Sequence, residues 1–247
     1  MRGVWKLTWI EIKLFLREPM AAFFTLAFPM LLLLLFGAIF GNEPTPFFGG
    51  VGYVDTSVPA FAAMIVATTG LISLTILLAS YREQGILRRL RATPLRPQAI
   101  LMAQVTVMLL MTILGMVLLI LVGVAVYGLR FSGNAVSVAA GFLFSSLSFF
   151  ALGFVLGGAM PTARTAQIVA MALFYTMLFL SGAAIPWEVL PKTVQNYAQV
   201  LPLTHVVGLL RGLWVGDGWM EHLKEVAVIG GVLLGGVVIS ARTFRWE

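Results

Sequence analysis

The chain has 247 residues, of which 60% are hydrophobic and only 11% charged, with a mean hydropathy of +0.99, outside the range of a water-soluble domain of that length. The composition is that of an integral membrane protein, and its continuous apolar runs make it an all-α one. There is no cysteine, which excludes disulfides and thiolate metal sites, and the net charge of +6 comes without any soluble nucleic-acid-binding module, so nucleic acid is not an expected partner.

The chain opens on "MRGVWKLTWIEIKLFLREP". On a helical wheel Arg2, Lys6, Lys13 and Arg17 fall within about 60° of one another, with Trp5, Trp9, Ile12 and Leu16 on the adjoining face. The pattern predicts an interfacial amphipathic helix over 1–19, its cations and tryptophans at headgroup level and Pro19 turning the chain into the membrane. Such a helix serves either as a basic anchor that sets topology or as a mechanical elbow.

A hydrocarbon core of about 30 Å takes roughly 20 helical residues to cross. Six apolar runs meet that length: Met20 to Phe40, Val58 to Ser80, Ile100 to Tyr127, Ala135 to Met160, Gln167 to Ile185 and Leu223 to Ala241. The runs are continuous and do not alternate, which favours helices over barrel strands. No small-residue cleavage site follows the first run, so it is expected to remain as a span. The connection after it, "GNEPTPFFGGVGYVDTSVP", reads as ordinary loop chemistry.

Between the second and third spans lies "YREQGILRRLRATPLRP", residues 81–97, with arginines at 82, 88, 89, 91 and 96. Gly85 and Thr93-Pro94 bracket about two helical turns. In them Ile86, Leu87 and Leu90 share one narrow face, while Arg88, Arg89 and Arg91 fan over the rest. Two turns are marginal in water, so the element needs a surface. Anionic lipid would serve, at about 1 kcal/mol per arginine; the leucine stripe favours a protein groove, because topology alone needs only charge.

The second long polar stretch, 186–221, is too long for a plain connection. Leu190, Val194, Tyr197 and Leu201 fall on one side of a short amphipathic helix, with Lys192, Gln195, Asn196 and Gln199 opposite. After Pro202, "LTHVVGLLRGLWV" is about two-thirds of a span long. The two together predict a re-entrant pair dipping into the outer leaflet. No domain boundary or internal repeat interrupts 1–247, which reads as a single membrane domain.

The cations set the orientation. With a cytoplasmic N-terminus, the inside holds Arg2, Lys6, Lys13, Arg17, the five loop arginines, Arg164, Arg242 and Arg245; the outside holds only Arg130, Lys192, Arg211 and Lys224. The excess satisfies the positive-inside rule and puts both termini in the cytoplasm.

Chemical motifs are sparse. None of the four lysines follows a glycine, so no GxxxxGK[ST] phosphate loop exists, and neither HExxH nor GxSxG occurs. His205 and His222 lack a second ligand at metal-binding spacing, and His205 reads as a polar residue of the re-entrant helix. Lys224 and Glu225 at the start of the last run leave it a short core and make it the weakest of the six; within the six apolar cores no Asp, Glu, Lys, Arg or His occurs, which argues against proton-driven transport. The hydroxyls Thr68, Thr69, Ser73, Thr75, Ser145, Ser146 and Ser148 suit helix-to-helix glue better than a substrate path. An enzyme acting on lipid lacks any nucleophile, base or metal cluster, and no catalytic residue is expected.

"REQGILRRLRATPLRPQAILMAQ" resembles a segment of the permease subunits of ABC transporters, in the type-2 class of drug, lipid and polysaccharide exporters that includes daunorubicin-type multidrug permeases. "LSGAAIPWEVLPKTVQNYAQVLPLTHVVGLLRGLW" is similar to the same family's region before its last span. The resemblance covers the whole chain. It implies that Glu83, Gly85, Leu87, Arg88, Leu90, Arg91, Thr93 and Pro94 form a coupling helix seated in a cleft of a cytoplasmic ATP-binding subunit. It also implies that Ser181, Gly182, Pro186, Pro191, Pro202 and Arg211 shape the outer re-entrant segment. Ile86 stands where many relatives have threonine, which removes a hydroxyl contact at the helix start.

The expectation is therefore a permease homodimer in the cell inner (plasma) membrane, moving an apolar or amphipathic compound outward, with ATP and Mg bound by two separate ATPase subunits and no cofactor on this chain. The alternative is an ATP-independent channel or scaffold whose arginine loop anchors to lipid.

Overall fold

The computed structural model describes residues 22–48, 50–86 and 97–243. Eight helices organise them: α1 (Phe23–Phe40), α2 (Tyr53–Glu83), α3 (Pro97–Tyr127), α4 (Ala135–Ala159), α5 (Ala163–Leu180), α6 (Lys192–Ala198), α7 (Pro202–Val215) and α8 (Leu223–Thr243). No strand occurs among the described residues, beyond a single bridge between Thr45 and Val51. Six helices are long and apolar enough to cross a membrane, so the chain is a multi-pass membrane protein. Helices α6 and α7 are bent by 101° across residues 199–201, the bend that a re-entrant pair requires and that a broken span would also show. The 1–19 helix and residues 87–96 of the arginine stretch lie outside the described residues.

Two spans move at both ends. Helix α2 extends past both ends of the expected run, from Tyr53 to Glu83. Helix α5 starts at Ala163, four residues before Gln167, because the Thr162 side chain accepts from the Thr165 N–H. It stops at Leu180, because Gly182 takes φ +81° and the Ala184 N–H returns to the Leu178 carbonyl. Residues 181–185 thereby leave the span and become a turn.

Nearly all of α2 is buried, and α1, α3, α4, α5 and α7 pack around it. The reason is the small-residue sequence "PAFAAMIVATTG", which lets neighbouring backbones approach. Its middle, Thr68–Leu74, winds as π-helix. There a methyl on Gly70 would lie 2.7 Å from the backbone carbon of Phe149, and one on Gly153 would overlap the Gly70 carbonyl oxygen. Helices α2 and α4 therefore touch backbone to backbone. Helix α8 lies along α4 with little of its surface buried. Leu35 and Ile39 on α1, Leu121 on α3 and Leu234 on α8 are exposed, the apolar surface a bilayer covers.

Two hydroxyls of the interior join helices. Ser148 on α4 donates to the Ile229 carbonyl on α8 at 2.9 Å, and Thr75 on α2 to the Gly153 carbonyl on α4 at 3.5 Å. Thr68, Thr69 and Ser146 bond back to carbonyls one turn earlier. All seven hydroxyl residues singled out in the sequence are buried inside the bundle, two of them bonding across helices and three within their own, while the Ser73 and Ser145 hydroxyls have no hydrogen-bond partner among the described residues.

The connection after α1 is more than a plain loop. Asn42 and Asp55 bond reciprocally: Asn42 Nδ2 donates to Asp55 Oδ1 at 2.9 Å, and the Asp55 N–H donates to Asn42 Oδ1 at 3.1 Å. The same carboxylate oxygen accepts from the Arg130 N–H at 2.8 Å, while the Tyr127 hydroxyl donates to the Leu34 carbonyl at 2.6 Å. One carboxylate thus latches the ends of α1, α2 and α3 together.

Candidate functional site

Two regions at opposite ends of the bundle carry the polar chemistry. The first surrounds the connection between α2 and α3. Since α2 runs on to Glu83, Arg82 sits in its last turn, half-buried, and is not part of a surface arginine patch. Its Nη1 donates to the carbonyls of Gly157, Gly158 and Met160, at 3.4 Å for Gly157 and 3.3 Å for Met160. These are the orphan acceptors at the C-terminus of α4, the negative end of that helix.

Next to it, Glu83 Oε2 accepts from the Ala163 N–H at 2.8 Å, at the positive N-terminus of α5. Adjacent residues of opposite charge therefore hold opposite helix ends, and the α4–α5 turn is clamped to the end of α2. On the other side Gln104 of α3 donates from Nε2 to the Tyr81 hydroxyl at 3.1 Å. Gln104 is 1% exposed, a buried polar residue that a count of apolar residues passes over.

Of the eight residues the resemblance assigns to ATPase docking, Glu83 and Gly85 are described. Gly85 takes φ +63° and ends the helix, which marks the start of the connection. Glu83 caps α5 through Oε2 and is itself exposed, so the cap does not remove its carboxylate from the surface. Leu87, Arg88, Leu90, Arg91, Thr93 and Pro94 lie outside the described residues.

The second region is the re-entrant end. Pro186 precedes a single 3₁₀ turn at Trp187–Val189, Pro191 is the N-cap of α6, and Pro202 occupies the first turn of α7, where its missing N–H costs nothing. Of the expected apolar face of α6, Leu190, Val194 and Leu201 are half-buried, whereas Tyr197 is 74% exposed and Ala198 is buried in its place. Helix α7 buries Leu203, Val206, Leu209, Leu210 and Leu213 against α2, α4 and α8.

Arg211 projects from α7, with Nη2 donating to the Gly182 carbonyl at 3.3 Å. It forms part of the wall of two cavities. One, of about 320 Å³, is lined by Ser181, Trp187, His205, Lys224 and Glu225 among others; the other, of about 160 Å³, lies beside Asp55, Arg130 and Trp214. Ser181, Gly182 and Arg211 are thus brought together, whereas Pro191 and Pro202 shape the backbone and line neither cavity.

His205 is 4% exposed, and its Nε2 donates to the Gln199 carbonyl at 2.8 Å, a satisfied interior histidine. His222 Nε2 pairs with Asp217 Oδ2 at 3.1 Å. No group of three or more metal-ligating side chains occurs among the described residues.

Comparison with known proteins agrees with the sequence motifs. The family model described as ABC-2 type transporter matches residues 2–214. Relatives include the probable multidrug ABC transporter permease YbhR of Escherichia coli, 23% identical over 164 residues, 66% of this chain and 45% of that protein. The inner membrane transport permease YhhJ of E. coli is 24% identical over 195 residues, 76% of this chain and 50% of that protein. The putative transport permease ycf38 of Porphyra purpurea is 26% identical over 243 residues, 92% of this chain and 79% of that protein. The chain spans about half the length of the E. coli relatives it matches.

Proposed function

The chain belongs to the ABC-2 type transporter family, and on that premise we propose that it is the membrane-spanning subunit of an ATP-driven exporter, working as a homodimer with a separate ATP-binding subunit. ATP and Mg are bound by that partner, and this chain contributes no catalytic residue. The connection over 84–96 faces the cytoplasm, as do both termini, and the re-entrant pair faces outward. The cargo is an apolar or amphipathic compound of the drug or lipid kind; the multidrug wording in the name of YbhR supports the drug class.

One observation carries the reading: the ends of the arginine connection are tied to the whole bundle. Arg82 and Glu83 hold the end of α4 and the start of α5, and Tyr81 is bonded to Gln104 at the start of α3. A displacement applied at residues 84–96 therefore reaches α2, α3, α4 and α5 together. ATP-bound partners need only prefer one arrangement of these helices to drive the cycle.

The test is co-purification from detergent-solubilised membranes. The complex contains an ATPase subunit, and Leu87→Asp or Arg88→Glu removes it along with ATP-dependent accumulation of a fluorescent amphipath in inverted vesicles. Retention of the ATPase and of transport by both variants refutes docking through this loop and favours the lipid-anchored channel or scaffold.

A further inference from the structure

We propose that the 320 Å³ cavity at the re-entrant end is a binding site for the phosphate headgroup of an anionic amphipath, held between Arg211 and Lys224, with its apolar chains lying along α8.

The first argument is charge. Among the described lining residues, two cations, Arg211 and Lys224, face one carboxylate, Glu225. Glu225 sits at the cavity's edge with Oε2 3.8 Å from His222 Nδ1, and the two cations still outnumber it. Lys224 gives one hydrogen bond to Gln199 Oε1 at 3.0 Å, and an ammonium carries three donors. An oxyanion placed here meets both cations.

The second argument is an unmatched polar atom. Ser181 lines the cavity, is 1% exposed, and its Oγ is buried with no hydrogen-bond partner. A buried hydroxyl without a partner is costly, and a phosphate oxygen accepts from it. Sequence reading placed Ser181 near the end of a span; the turn at Gly182 is what brings it beside Arg211.

The third argument is location and size. A volume of about 320 Å³ is at the low end for small-molecule sites, enough for a phosphate and its glycerol but not for acyl chains. The cavity lies beside the first turn of α8, where Leu223 is exposed and the helix presents little buried surface to the rest of the bundle. Acyl chains leaving the cavity have that flank to lie on. Trp187 in the wall suits the headgroup level, where indoles concentrate. The site needs only a bilayer and does not depend on ATP coupling.

The experiment uses the full chain in nanodiscs of phosphatidylcholine with a minor share of phosphatidylglycerol. Retained lipid is read by native mass spectrometry after mild delipidation. Wild type is expected to enrich phosphatidylglycerol over its bulk share. Arg211→Gln and Lys224→Gln should each lower that enrichment about fivefold, as for one cation near anionic lipid. Arg211→Lys should restore part of it, and Ser181→Ala should lower it by a smaller factor. Lys224 is exposed, so its variant keeps the test decisive where Arg211→Gln fails to fold.

Millimolar inorganic phosphate distinguishes the sources of the oxyanion. Displacement of the retained lipid by phosphate identifies a site open to soluble phosphates, and resistance to it identifies a lipid headgroup site. Equal retention of both lipids by wild type, or enrichment unchanged in Lys224→Gln and Arg211→Gln, overturns the proposal.

Discussion

Gly70→Ala tests the packing on which the α2–α4 contact depends. Its new methyl would lie 2.7 Å from the carbonyl carbon, the oxygen and Cβ of Phe149. Two of those three atoms are backbone inside a helix and have no rotamer to change, so α2 and α4 must separate by roughly 0.5 Å to reach a tolerable contact. A gap of that order forfeits about a quarter of each dispersion well along the seam, and overpacking a close-packed interior costs about 1–3 kcal/mol. With two backbones opposed the upper part of that range applies, offset by about 1 kcal/mol of helix propensity gained by alanine over glycine. The net loss is about 2 kcal/mol. For a domain of this size that lowers the melting temperature by roughly 4–8 °C, measurable by scanning fluorimetry in detergent. Gly231→Ala on α8 is the internal comparison, since a methyl there meets nothing within 4 Å, and its melting temperature should hold or rise. A Gly70→Ala protein that melts with wild type would refute the backbone contact as drawn.

Two further predictions concern the ends of the bundle. Arg82→Gln and Glu83→Gln each remove a charge from a helix terminus and should each cost about 1 kcal/mol, the partly solvated side chains keeping the effect modest. Both variants should lower ATP-dependent transport, since they loosen the α4–α5 turn; Arg82→Gln, at a residue outside the docking set, should also keep the ATPase bound, and loss of the ATPase from it would contradict a purely positioning role for Arg82. At the other end, Asp55→Ala leaves the Asn42 amide and the Arg130 N–H without their shared acceptor and should destabilise by about 1–3 kcal/mol. Asn42→Ala should add little to it in the double variant, because both belong to one latch; full additivity by thermal melting would break that account.

How much was legible in advance follows from what each signal depends on. Span count, helix class and the pair of short helices before the last span rest on local hydropathy and proline spacing, and the structure has six apolar helices of spanning length, no strand among the described residues, and that pair bent by 101°. Boundaries were less legible: the start of α5 depended on the Thr162 cap and its end on Gly182. The Asn42–Asp55 latch, the Arg82 and Glu83 caps and the Tyr81–Gln104 bond join residues from 13 to 80 positions apart, a separation that neither periodicity nor composition registers. Arg82 is the clearest case. As one of five arginines in a polar run it reads as surface charge, until α2 is seen to continue past it and aim it at the carbonyls of α4.

What the sequence by itself determined is therefore the solvent and the class. A bilayer demands long apolar helices with satisfied backbones, and the two motifs, one in the arginine connection and one before the last span, carry the family. Tertiary structure alone decided which residues meet. It made α2 the shared centre of the bundle, because only its small-residue face admits neighbours on every side, and it gathered Ser181, Arg211 and Lys224 around one cavity. That placement comes from a left-handed glycine, a 101° bend between two short helices and the docking of α7 onto α2. Those are relations between distant segments, set by packing rather than by any local run of residues.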